Sequence, residues 1–124
     1  MDCNGKYRYI FSCSGASDVG AIADFAVRSL ARDYSNKMGC LSCVGAGGEK
    51  YMRDVRDATR IVVIDGCDDD CARKNLENTG LKINLHIRLT DEGFSKGRNA
   101  STPLRVNSVV KLVTDRMRGL DKSH

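Results

Sequence analysis

Residues 60–65, Arg-Ile-Val-Val-Ile-Asp, are the strongest constraint on what this chain can fold into. Four consecutive apolar, β-branched residues leave no polar face, so a strand made of them must be covered on both sides. That is the situation of a strand inside a parallel sheet packed between helices.

The flanking segments supply such helices. Residues 7–13, Tyr-Arg-Tyr-Ile-Phe-Ser-Cys, mix aromatic and β-branched residues and give way to Ser-Gly-Ala-Ser, a strand followed by a turn. From Asp18 the period changes. Val19, Ile22, Ala23, Ala26 and Leu30 recur at three- and four-residue steps, which predicts a helix capped by Ser17 or Asp18 and ending near 33–37. Residues 37–44, Lys-Met-Gly-Cys-Leu-Ser-Cys-Val, read as a second strand that Gly39 weakens, and 49–58 as a short helix. A further helix is predicted over 69–79, closed by Gly80. Residues 82–89 alternate strictly: Ile83, Leu85, Ile87 and Leu89 face in, while Asn84, His86 and Arg88 face out, as in a half-exposed edge strand. After a polar loop, Pro103 opens a last helix with a stripe of Val106, Val109, Val110, Val113 and Met117.

The order β-α-β-α-β-α-β-loop-α predicts a single α/β domain over residues 1–124. It would be a mostly parallel four-stranded sheet with helices on both faces, a three-layer, flavodoxin- or Rossmann-like arrangement. Residues 7–80 would carry the motif-bearing core, and 81–118 the edge strand and C-terminal helix. At 124 residues, 41% hydrophobic and 29% charged, the chain can bury an aliphatic core without staples.

A net charge of +4 is mild, and the basic residues alternate with acids, as in Lys50–Arg60, rather than forming a stripe. Nucleic acid is therefore not the expected partner. The first residues are polar, with no apolar stretch of a signal peptide, and no segment approaches a membrane span. The expected location is the cytoplasm. In a reducing compartment, six cysteines (Cys3, Cys13, Cys40, Cys43, Cys67 and Cys71) point to metal or redox chemistry rather than to a disulfide framework.

Their placement sharpens this. Cys13 ends the first predicted strand, Cys40 lies in the second and Cys67 follows the third. The carboxyl ends of parallel strands share one edge, where open α/β folds bind their ligands. Cys71 falls in the first turn of the helix after Cys67, and Cys43 is close to Cys40. Clustered thiolates suit soft metals: zinc takes four in structural sites, and iron–sulfur clusters also take four. The sequence does not choose between the two. Thiolates preceding helices, as Cys13 and Cys67 do, are also favoured electrostatically.

The stretches Cys-Ser-Gly-Ala-Ser-Asp-Val-Gly (13–20), Met-Gly-Cys-Leu (38–41) and Val-Val-Ile-Asp-Gly-Cys-Asp-Asp-Asp-Cys (62–71) resemble, in order and spacing, the DGC-domain family of small zinc-binding proteins. The family takes its name from the triplet matched here by Asp65-Gly66-Cys67, and the likeness runs over about residues 7–80. The resemblance implies a four-cysteine metal site with no assigned enzymatic activity, its ligands Cys13, Cys40, Cys67 and Cys71. Many members have alanine after the Cys-Leu pair, where this chain has Ser42-Cys43. Cys43 is thus a fifth candidate, and Cys40, Cys43, Cys67 and Cys71 would also make a four-thiolate set.

Plainer readings cover the remaining features. Cys3 is a loose surface thiol, and His86 a solvated side chain on a polar strand face. Asp68, Asp69 and Asp70 complement a helix N-terminus, and Asp65 bonds to the turn that follows it. The segment 13–20 superficially matches a phosphocysteine loop, but such enzymes place an arginine six residues after the cysteine, where this chain has Val19. The Gly-Ala-Gly-Gly stretch at 45–48 is too generic for a nucleotide site, and His124 lies in the tail. Two functions then compete. One is a non-enzymatic zinc protein with a closed thiolate shell, structural or serving in metal sensing or delivery. The other is a thiol–disulfide redox protein using Cys40/Cys43 or Cys67/Cys71. Against the second, Cys40-x-x-Cys43 falls in or just after a predicted strand, whereas redox pairs of that kind open a helix.

Overall fold

A computed structural model describes residues 7–13 and 15–122; Cys3, Ser14 and His124 lie outside the described residues. Strands β1 (Arg8–Ser12), β2 (Asn36–Met38), β3 (Arg60–Asp65) and β4 (Leu85–Arg88) form one sheet in the order β2-β1-β3-β4, every pairing parallel. Arg8 to Ser12 of β1 pair with Arg60 to Ile64 of β3, so these two strands form the centre and β2 and β4 the edges.

Among the described residues, five α-helices cover the sheet: α1 (Asp18–Leu30), α2 (Leu41–Gly45), α3 (Glu49–Arg56), α4 (Cys71–Glu77) and α5 (Pro103–Lys122). The two-residue period of the strands sorts the core into two layers. Ile10, Val62, Ile64 and Ile87 pack against Ile22, Ala26 and Leu30 of α1 and Val109, Val113 and Met117 of α5. Tyr9, Phe11, Ile61 and Val63 face the other way, onto Val44 of α2, Met52 and Val55 of α3, and Ala72 and Leu76 of α4. Helices on both faces of a parallel sheet are what the run Ile61–Ile64 demanded. None of the described helices is long and apolar enough to cross a membrane.

The second predicted strand is the main correction. Only Asn36–Met38 is extended, and Leu41–Gly45 is a helix. Gly39 makes the break: a Cβ there would lie 2.2 Å from the Phe11 ring, so the chain crosses the ring where only glycine fits. Beyond it, Leu41 and Val44 are three residues apart, a helical spacing that turns Val44 into the core. Helix α4 also starts later than expected, at Cys71 rather than residue 69, because Asp70 is left-handed (φ 51°, ψ 44°) and buried. Ser17 caps α1 by accepting the Gly20 N–H at 3.0 Å.

Candidate functional site

Strand order decides where a site can form. From β1 the chain passes under α1 to β2 on one side, then returns over α2 and α3 to β3 on the other side of β1. The crossovers therefore diverge between the carboxyl ends of β1 and β3, the switch point at which open α/β sheets leave a crevice. Cys13 follows β1 there, and Gly66-Cys67 follows β3.

Glycines let these segments meet. A Cβ on Gly66 would lie 2.6 Å from the Gly20 nitrogen and 2.7 Å from the Val19 carbonyl carbon, both backbone atoms of α1. A Cβ on Gly20 would stand 3.3 Å from the Cys13 sulfur. The backbone N–H groups of Gly66 and Gly15 donate to Cys13; burial pushes its thiol pKa up, and these two donors pull against that.

A cavity of about 140 Å³ opens at this point, lined among others by Cys13, Cys67, Cys71, Asp69 and Lys96. Lys96 Nζ lies 3.5 Å from the Cys67 sulfur and 3.4 Å from Asp69, contacts that hold the lysine ammonium above its ordinary pKa. The loop carrying Lys96 is pinned by Asp18, which accepts the N–H groups of Gly97 (2.9 Å) and Asn99 (3.0 Å). Sequence reading missed Lys96. It lies in a polar loop far along the chain from Cys67, and only tertiary structure brings the two together.

Cys13 also lines a second cavity, about 380 Å³, with Cys40, Met38 and Asn75. Cys43 lines neither of these. It opens onto a groove between α2 and α3 with Tyr51, Lys50 and Arg53. Cys40 is the residue that caps α2, its sulfur accepting the Cys43 N–H at 3.2 Å, while the Tyr51 hydroxyl accepts the Cys40 N–H at 2.6 Å. The Cys43 thiol donates to the Cys40 sulfur, which lowers the pKa of Cys40 and raises that of Cys43. Cys40-x-x-Cys43 therefore opens a helix, and the objection to a redox role drawn from a strand placement falls.

The two buried aspartates flanking Cys67 play different parts. Asp65, 1% exposed, accepts the N–H groups of Ala72 (2.9 Å) and Arg73 (3.2 Å), so it caps α4 from a distance and bonds to the segment that follows it. It also bonds His86 Nε2 at 2.9 Å, so His86 is tied into the protein rather than solvated. Asp70 makes no cap bond. Its carboxylate takes Arg88 Nε at 2.9 Å, Arg88 Nη2 at 2.5 Å and Arg73 Nη2 at 3.0 Å, and Arg88 holds its pKa down at about 2. The alternation of β4 carried this signal, because it sets His86 and Arg88 on one face, and Arg88 pairs with Asp65 of β3.

Among the described residues, Asp65, Asp70 and His86 are the one group of three potential metal donors within 4.8 Å of one another. Two arginines and two backbone N–H groups already occupy those carboxylates, so they form an ion-pair network rather than a cation site. The thiols are gathered but more open. A zinc–sulfur distance of about 2.3 Å puts the sulfurs of a tetrahedral site about 3.8 Å apart. Sulfur donors on three adjoining segments fit zinc in kind, though no three of the described thiols lie within 4.8 Å of one another.

The DGC domain's sequence model matches residues 9–113. The chain belongs to the DGC-domain family. The triplet of the name is Asp65-Gly66-Cys67, and each member has a physical task in this DGC domain: Asp65 caps α4, Gly66 admits α1, and Cys67 enters the cavity. The anaerobic and virulence modulator AnvM of Pseudomonas aeruginosa (strain PAO1) is 29% identical over 87 residues, 70% of this chain and 66% of AnvM. The match thus spans just under two-thirds of that relative. No solved structure matches.

Proposed function

We propose that this DGC domain binds zinc through Cys13, Cys40, Cys67 and Cys71, in the cytoplasm, as a structural, sensing or delivery site rather than a catalytic one. The observation that carries the reading is the lining of the switch-point cavity by Cys13, Cys67 and Cys71, with Cys40 across Cys13 in the adjoining one. Cys43 stands apart from Cys13, which favours Cys40 as the fourth ligand. The Gly15 and Gly66 N–H groups donate to the Cys13 sulfur, and the Lys96 ammonium lies 3.5 Å from that of Cys67. Four thiolates fill zinc's shell and leave no open position for substrate. The relative's name, a modulator, accords with a regulatory part.

Elemental analysis of protein purified without added metal tests this. About one zinc per chain is expected in the wild type, near zero in Cys67→Ser and Cys40→Ser, and an unchanged content in Cys43→Ser. Thiols that titrate freely in a metal-free wild type would sink the reading; iron in place of zinc would reassign the metal.

A further inference from the structure

Cys43 has no part in the proposed zinc shell, yet it is bonded to a residue that does. Its N–H donates to the Cys40 sulfur at 3.2 Å, and the Tyr51 hydroxyl accepts the Cys40 N–H at 2.6 Å. A three-residue spacing at a helix start keeps two side chains within about 5–6 Å. A disulfide needs Cβ atoms about 3.5–4.5 Å apart, so the pair closes with a shift of roughly 1–2 Å, which Cys40 can make because it caps the helix from extended backbone. Both sulfurs also border open space. Cys40 lines the cavity it shares with Cys13, and Cys43 lines the groove beside Tyr51 and Arg53.

We propose that Cys40 and Cys43 are a thiol–disulfide exchange site whose oxidation by a small disulfide withdraws Cys40 from the metal shell. The coupling rests on the zinc reading, whereas the exchange stands without it. In the first step the Cys40 thiolate, the sulfur that accepts the Cys43 N–H, attacks one sulfur of the substrate R–S–S–R. The substrate S–S bond breaks and RS⁻ leaves. Cys43, as thiolate, then attacks the Cys40 sulfur of the mixed disulfide and expels the second RS⁻. The two protein thiols lose two electrons and two protons, and the substrate becomes two RSH. A disulfide sulfur is not a thiolate ligand, so the oxidised pair and the complete zinc shell exclude each other.

The protein as purified would be exposed, without oxygen, to rising ratios of oxidised to reduced glutathione. Disulfides would be mapped by mass spectrometry and released zinc read with a chromogenic chelator. The wild type should form the Cys40–Cys43 bond and release zinc together. Cys43→Ser should carry the wild-type zinc content and release it only at an oxidised-to-reduced ratio at least about tenfold higher, since it lacks the intramolecular second thiol. A map without a Cys40–Cys43 bond, or zinc release by Cys43→Ser at the wild-type ratio, would overturn the proposal. A Cys40–Cys43 bond in a wild type that never held zinc would uphold the exchange and remove the zinc reading alone.

Discussion

Gly66→Ala should lower the melting temperature by about 10 °C or more, the largest effect expected of a single added methyl in this protein. The new Cβ would sit 2.6 Å from one backbone atom of α1 and 2.7 Å from another, with Val19 Cγ2 at 2.9 Å. Side chains can turn away from such a clash, but backbone in the first turn of a helix cannot. Relief requires α1 to part from the exit of β3, and α1 buries Val19, Ile22, Ala23, Ala26, Val27 and Leu30 against the sheet. Overpacking of this kind costs about 1–3 kcal/mol and sometimes more, out of a total stability of about 5–15 kcal/mol. Gly119→Ala supplies the contrast. Nothing lies within 4 Å of a Cβ there, in an exposed turn of α5, so alanine should stabilise by roughly 0.5–1 kcal/mol through its better helix propensity. Calorimetry of the two variants checks both signs. If Gly66→Ala melts with the wild type, the strand exit and the helix start are not in the contact described.

The sheet was legible in the sequence because its signals are local. Ile61–Ile64 could only be a covered strand, and the alternation of 82–89 could only be an edge, so the strand order left little freedom once parallel crossovers were assumed. The shared carboxyl edge of a parallel sheet brought Cys13, Cys40 and Cys67 to one side before any side chain was placed, and the strand order then set the switch point between β1 and β3. Residues 37–44 misled because a five-residue helix leaves one apolar repeat, Leu41 to Val44, too short to separate from a strand by period. The break at Gly39 depends on the Phe11 ring, which is distant in sequence. Asp70 is the sharpest case. Three adjacent aspartates before a helix read as capping groups, yet the one that is buried makes no cap bond and pairs with Arg88 of β4 and Arg73 of α4. Nothing within the triplet distinguishes Asp70 from Asp68 or Asp69.

That arginine pair gives the second large effect. Asp70 is 3% exposed and Arg88 28%, so removing the carboxylate charge leaves a poorly hydrated guanidinium without its chief partner. Asp70→Asn is the informative change, because asparagine also tolerates the left-handed backbone and only the charge is lost. It should cost about 2–4 kcal/mol in urea unfolding, towards the low end for a broken buried pair because Arg88 keeps some water. In an Arg88→Ala background the same change should cost much less. The acid limb of stability follows with a definite sign. Arg88 first, then Arg73, depresses the Asp70 carboxyl to about 2, against about 3.9 for an ordinary aspartate. A depressed carboxyl stabilises the fold fully above its unfolded value and loses that contribution as pH falls through the folded one. The wild type should therefore lose about 2 kcal/mol from this group between about pH 4 and pH 2. Asp18, Asp33 and Asp54 are also depressed, by hydrogen bonds of their own, and contribute in both proteins. Chelator-treated protein is the right sample, since metal released by acid would add a slope of its own. The melting curve of Asp70→Asn should be the flatter of the two between pH 4 and 2, and parallel curves would mean that the Arg88 pair adds nothing to the folded state.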